Sequence, residues 1–131
     1  MLRVHDGDTL TVRCDDAAPV KLRVANIDAP ELHQARGPAA RDALIAHIHG
    51  GSISVVSRAV DRYGRTVADI ANGDGDLGLQ LVADGLAWCG MRPSAACRQA
   101  LATARTAGRG LWADRDPQPP WRWRRAHPRR D

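Results

Sequence analysis

The ten residues Leu22-Arg23-Val24-Ala25-Asn26-Ile27-Asp28-Ala29-Pro30-Glu31 constrain this chain more than any other stretch, because they begin as a buried strand and end in clustered charge. Leu22, Val24 and Ile27 are strand-forming apolar residues. Pro30 lacks an amide donor and biases Ala29 away from helical geometry, so the strand is predicted to stop near Asp28. Two carboxylates, Asp28 and Glu31, then stand at a strand end, with Arg23 upstream as a fixed positive charge. On a flat strand Arg23 shares a face with Ala25 and Ile27, while Asp28 belongs to the other face. Bringing Arg23 and Asp28 together therefore demands a bend or bulge near Asn26, or a strongly curved barrel.

A chain of 131 residues, 44% of them hydrophobic, has the length of one domain and enough apolar material for a modest core. Phe is absent and Tyr occurs once, so Leu, Val, Ile and Ala are expected to fill that core, with Trp88 and Trp112. No run approaches the ~18 apolar residues of a membrane span, and the first residues lack the basic-then-apolar pattern of a signal peptide. The chain is expected to be soluble, with no membrane partner, and its compartment is left open. The formal charge is +4, and all of that excess lies in residues 117–131, which hold five Arg and one Asp. Residues 1–116 balance 14 basic against 14 acidic side chains. Cys14, Cys89 and Cys97 lack the close spacing of a zinc site and imply no disulfide framework, although an oxidising compartment leaves a Cys89–Cys97 bridge open.

Strands are predicted over residues 1–4 and 10–12, flanking a tight turn at His5-Asp6-Gly7-Asp8-Thr9 in which Gly7 supplies backbone freedom. Pro38 suits the first turn of a helix over 39–49, where Ala40, Leu44, Ile45 and Ile48 recur at helical spacing. Strands over 52–57 and 66–71 bracket a hairpin turn at Asp61-Arg62-Tyr63-Gly64-Arg65. Two further helices, over 77–84 and 95–107, are closed by Gly85 and Gly108. This order predicts an α+β fold with a small sheet, compatible with an oligonucleotide-binding barrel. From Pro117 onward the Pro-rich, Trp-Arg-Trp-Arg-Arg sequence is predicted to be disordered.

Asp6, Asp8, Asp28, Glu31, Arg23 and Arg65 all fall in turns or at strand ends. Carboxylate oxygens suit a hard cation such as Ca²⁺ better than Zn²⁺. A carboxylate base, a cation and two guanidiniums together are the parts of phosphoester hydrolysis. Taken singly, each Asp-Gly turn is equally an ordinary backbone-shaping device.

The three motifs together, His5-Asp6-Gly7-Asp8-Thr9, Leu22-Arg23 to Asp28-Ala29-Pro30-Glu31, and Asp61-Arg62-Tyr63-Gly64-Arg65-Thr66, resemble the signature of the staphylococcal nuclease family over roughly residues 4–112. The resemblance implies a five-stranded oligonucleotide-binding-type barrel with three helices, formed by residues 1–116, with 117–131 as a basic tail. It implies that Asp8, Asp28 and the Ala29 carbonyl bind Ca²⁺, with Asp6 beyond them. Glu31 would be the general base, Arg23 and Arg65 would stabilise the transition state, and Tyr63 with Arg62 would seat the nucleotide. The expected activity is cleavage of DNA and RNA with little sequence preference, leaving 3′-phosphate ends, by a monomer. A non-catalytic nucleic-acid-binding module and a protein-interaction module are the alternatives on the same fold. Two features depart from the pattern: only five residues precede Asp6, which points to a longer N-terminus, and the loop after Glu31 is short. The tail, whose arginines interleave with Trp121 and Trp123, is expected either to neutralise phosphates and stack on unpaired bases or to be a solvated terminus.

Overall fold

The computed structural model describes residues 2–128 and begins with an antiparallel hairpin, β1 (Leu2–Asp6) against β2 (Thr9–Val12), bulged between Val4 and Asp6. Gly7 in its turn serves close packing, not backbone freedom, since its φ is not positive. A Cβ there would meet Ala40 Cβ at 2.7 Å and Ala29 Cβ at 2.8 Å. The predicted central strand is split into β3 (Val20–Val24) and β4 (Ile27–Asp28) by Asn26, at φ 70°. The bend that the alternation of side chains demanded is therefore a single left-handed residue, a conformation that Asn tolerates better than most residues.

Pro38 lies in the first turn of α1 (Gly37–Ile48), which buries Ala40, Leu44 and Ile48 while Ile45 stays at the surface. The hairpin β5 (Ser54–Val60) and β6 (Thr66–Asn72) follows, and β6 lies parallel to β3 in the register Arg23 to Val67. The short β7 (Gly75–Asp76) pairs with β6 and leads into α2 (Leu77–Ala83), whose first turn Asp76 caps by accepting from Leu79 N at 3.1 Å. Next come β8 (Trp88–Cys89), which pairs with β4, α3 (Ala95–Ala107), a 3₁₀ turn at Gly110–Ala113, and α4 (Pro120–Ala126). A disulfide joins Cys89 to Cys97, and Cys14 is exposed.

Among the described residues the main sheet has six strands in the order β1-β2-β3-β6-β5, with β7 on β6. Leu10, Leu22, Val24, Leu44, Ile70, Leu77, Leu81 and Val82 form the fully buried centre between sheet and helices. Trp88 is buried at its margin. Three features differ from expectation. The sheet is not closed into a five-stranded barrel, because β4 leaves it to pair with β8 and every residue of β5 is exposed. The described residues form four α-helices rather than three.

The third difference is the tail. Residues 120–126 form a helix instead of disordered chain, because Pro120 sits at the N-terminal position that proline favours and is fully buried. Trp121 also meets Trp88 edge-to-face at 5.8 Å. The predicted roles of Arg129 and Arg130 lie outside the described residues, as does Met1. Among the described residues no helix is long and apolar enough to cross a membrane.

The Gly7 contacts generate a test. Gly7→Ala forces two packed methyl groups apart and is expected to destabilise the fold by about 1–3 kcal/mol, as overpacking does. Gly51→Ala, with nothing within 4 Å, serves as the reference. Urea denaturation of both variants measures the difference, and equal midpoints would contradict the close-packing role.

Candidate active site

Arg23 is the pivot of the cleft. Its Nη1 donates to Val24 O at 2.7 Å and Ile27 O at 2.8 Å, so the side chain is clamped across the Asn26 bend. The same guanidinium places Nη2 3.3 Å from Asp28 Oδ1 and 3.4 Å from Asp8 Oδ2. One carboxylate from the β1–β2 turn and one from β4 thus flank one nitrogen.

Asp8 is 5% exposed and held from three sides. It accepts from Ala29 N at 2.7 Å and from Thr9 Oγ1 at 3.2 Å, and it lies beside Arg23. Burial nevertheless pushes its carboxyl up to about 7, with Arg23 opposing and Asp6 reinforcing the shift. The ionised form of Asp8 is therefore under-compensated by the protein alone. Asp6 stands next to it and accepts from Asp8 N at 3.1 Å.

Glu31 is placed by the short loop that follows it. Gln34, 3% exposed, accepts from Glu31 N through Oε1 at 3.1 Å, and Gln34 N donates to Glu31 O at 2.9 Å. The other end of the Gln34 amide donates to Gln118 O, joining this loop to the segment before α4.

The turn between β5 and β6 supplies the opposite wall. Asp61 organises it by accepting from Tyr63 N at 2.9 Å, Arg65 N at 3.0 Å and Arg65 Nε at 2.7 Å. Desolvation works against its charge, yet these hydrogen bonds hold the Asp61 carboxyl below its ordinary value. Arg62 donates to Tyr63 Oη at 2.8 Å, and both Arg62 and Arg65 lie over the Tyr63 ring, at 5.0 and 5.3 Å.

Asp6, Asp8, Arg23, Glu31, Arg62, Tyr63 and Arg65 consequently line one cleft of about 210 Å³, with Asp28 against Arg23 and Ala29 behind Asp8. A larger pocket of about 280 Å³, lined by Asn26, Arg58, Asp76 and Arg92 among others, contains none of the sequence-predicted site residues.

One more residue enters the cleft. Arg124 of α4 donates from Nη2 to Asp28 Oδ2 at 2.8 Å, and from Nη1 to Asp28 Oδ1 at 3.2 Å and Glu31 Oε1 at 2.9 Å. Hydrogen bonding to Asp28, opposed by desolvation and reinforced by Glu31, raises the guanidinium's pKa. Neither Gln34 nor Arg124 stood out in the sequence. Gln34 carries no motif, whereas Arg124 belongs to a basic run that was read as facing substrate.

Among the described residues no group of three or more His, Cys, Asp or Glu is arranged to hold a metal ion. Guanidiniums stand between the carboxylates instead. The donor set itself is all oxygen and suits a hard cation, and the under-compensated Asp8 is the feature such a charge would satisfy.

Residues 21–114 match the family described as Staphylococcal nuclease homologue. An "uncharacterized endonuclease" of Haemophilus influenzae is 35% identical, covering 95% of this chain and 71% of its own length. An Escherichia coli protein of the same description is 37% identical over 95% of this chain and 82% of its own. A "micrococcal nuclease" of Shigella flexneri is 35% identical over 96% and 79%.

Gln34 offers the sharpest structural test of this site. Gln34→Ala leaves buried polar groups of the Glu31 loop without a partner and is expected to cost about 1–3 kcal/mol of stability. Chemical denaturation measures this, and a variant as stable as the parent would show that the loop holds itself.

Proposed function

Since the chain belongs to the staphylococcal nuclease homologue family, we propose that it is a nuclease that hydrolyses phosphodiester bonds of DNA and RNA with the help of Ca²⁺. The observation that carries this reading is the meeting of three separate sequence motifs, carrying Asp8, Arg23 with Glu31, and Arg65, around one cleft. Asp8, Asp28 and the Ala29 carbonyl would hold the ion, with Asp6 beyond them. The chemistry supplied by a bound cation there is charge neutralisation at a phosphoryl oxygen.

Glu31 is the general base, taking a proton from the attacking water at a carboxylate oxygen. Arg65 commits Nε to Asp61, which leaves its two terminal nitrogens for phosphate oxygens in the forked geometry that guanidinium provides. Arg23 is fixed by backbone carbonyls through Nη1, while its Nη2 contacts to Asp8 and Asp28 are long enough to be exchanged for a phosphate oxygen as charge develops. Tyr63, 48% exposed and held between Arg62 and Arg65, would help seat the nucleotide beside them. Nothing in this set reads base edges, which supports cleavage with little sequence preference.

Degradation of plasmid DNA and of RNA is expected with Ca²⁺ and is expected to stop on addition of chelator. Mg²⁺, smaller and strict about octahedral geometry, should support little turnover. Glu31→Gln, Arg23→Ala and Arg65→Ala should each lower kcat by at least ~10²-fold. Circular dichroism should report an intact fold in each. Equal rates with Mg²⁺ would overturn the choice of metal, and a folded Arg65→Ala variant cutting at the parent rate would overturn the role of that arginine.

A further inference from the structure

The tail helix does something that the proposed chemistry does not require. Arg124 uses its guanidinium as a fork on both oxygens of Asp28 and bridges to Glu31, residues 96 and 93 positions away in sequence. Asp28 is thereby occupied on both oxygens by a side chain from the far end of the chain. Three anchors hold α4 where it can do this: buried Pro120, Trp121 against Trp88, and the Gln34 amide on Gln118 O. Arg122 and Arg125 on the same short helix are exposed. The contact is therefore specific to Arg124.

The charges on the two walls explain why a fourth arginine settles there. Asp6, Asp8, Asp28 and Glu31 put four acidic groups into a cleft whose own cations are Arg23, Arg62 and Arg65. Of these, Arg65 is paired with Asp61 and Arg62 is turned onto Tyr63. Only Arg23 faces the carboxylates, through contacts of 3.3 and 3.4 Å, whereas the Arg124 contacts include two under 3.0 Å.

We propose that Arg124 is a further residue of the active site, a tethered counter-cation that occupies the Asp28–Glu31 carboxylate pair and must yield Asp28 when a divalent cation binds. The inference rests on the cation site proposed above. An ion at Asp28 competes with the guanidinium forked on both its oxygens, because two cations on one carboxylate repel. Binding of the ion and engagement of Arg124 thus oppose each other at Asp28, so each shifts the population of the other. When Arg124 withdraws, Glu31 also loses the hydrogen bond to its Oε1 and is released to accept a proton from water. In this arrangement cation entry and arming of the base are one event.

The experiment is calorimetric titration of the full-length protein with Ca²⁺ alone, in the parent, Arg124→Gln, and Arg125→Gln as a control for loss of one positive charge on an exposed position of the same helix. If the engaged state holds about nine-tenths of the molecules, removing it tightens the apparent affinity about tenfold. Arg124→Gln is expected to show that gain, with Arg125→Gln within about twofold of the parent. Trp121→Ala, which removes the contact with Trp88 but leaves Arg124 in place, should tighten Ca²⁺ binding in the same direction. It carries the test if Arg124→Gln does not fold. A parent that binds Ca²⁺ together with an Arg124→Gln variant of equal or weaker affinity would overturn the inference and leave the cation site standing. Folded proteins that all fail to bind Ca²⁺ would overturn the cation site and this inference with it.

Discussion

Arg23 donates through one nitrogen to the carbonyls of Val24 and Ile27, and the rest of the site depends on that clamp. It spans the left-handed turn at Asn26, which moves Asp28 from the wrong face of a strand to within reach of Arg23. The turn is also closed from outside, where Gly90 N donates to Asn26 O at 2.7 Å. A Cβ at Gly90 would lie 3.0 Å from the same carbonyl, so glycine is needed for that approach. Beyond the bend, β4 is free of the main sheet and pairs with β8 instead, placing Trp88 opposite Asp28. Trp88 in turn is the platform for Trp121 and so for α4. A single backbone conformation therefore orients one arginine and one carboxylate, and through Trp88 it determines where the C-terminal helix docks.

Charge is distributed through the cleft with the same economy. Asp8 is buried at the floor, where the amide of Ala29 and the Arg23 guanidinium only partly offset its desolvation. Asp61 shapes the opposite wall and is fully engaged by its own turn, so it orients Arg65 without adding a further exposed carboxylate to the cleft. Groups that need a partner face the cleft, and groups that merely position others are satisfied behind it. This division is what the proposed phosphodiester chemistry requires, because stabilisation of developing charge works best from donors that do not have to reorganise.

Much of this was legible in the sequence, and the failures have identifiable causes. Side-chain alternation left a bend near Asn26 or a strongly curved barrel as the ways to bring Arg23 to Asp28, and the ends of α2 and α3 followed from Gly85 and Gly108, both at positive φ. The clustering of Asp8, Glu31 and Arg65 came from motifs whose members are adjacent in sequence. What escaped was set by contacts between distant residues. β4, β7 and β8 are two residues each, too short to carry a periodic pattern, so neither the strand count nor the open sheet could be read locally. Gly7 was assigned to turn geometry, whereas its reason is the proximity of Ala40, which only the packing of α1 reveals. Prolines interrupt helices, so the tail reads as disordered, yet Pro120 begins a helix, and what stabilises it are Trp88 and Asp28, far away in the chain.

The central claim is that the left-handed turn at residue 26 assembles the proposed catalytic groups, and side chains at that position test it directly. Glycine adopts positive φ without strain, whereas a β-branched residue resists it. The measurement is the rate of plasmid cleavage in the presence of Ca²⁺ at saturating substrate for Asn26→Gly and Asn26→Val, each shown to be folded by circular dichroism. The account predicts that Asn26→Gly retains the parent rate within about twofold, while Asn26→Val loses about tenfold or more because Arg23 and Asp28 no longer converge. A folded Asn26→Val protein that cleaves at the parent rate would contradict it.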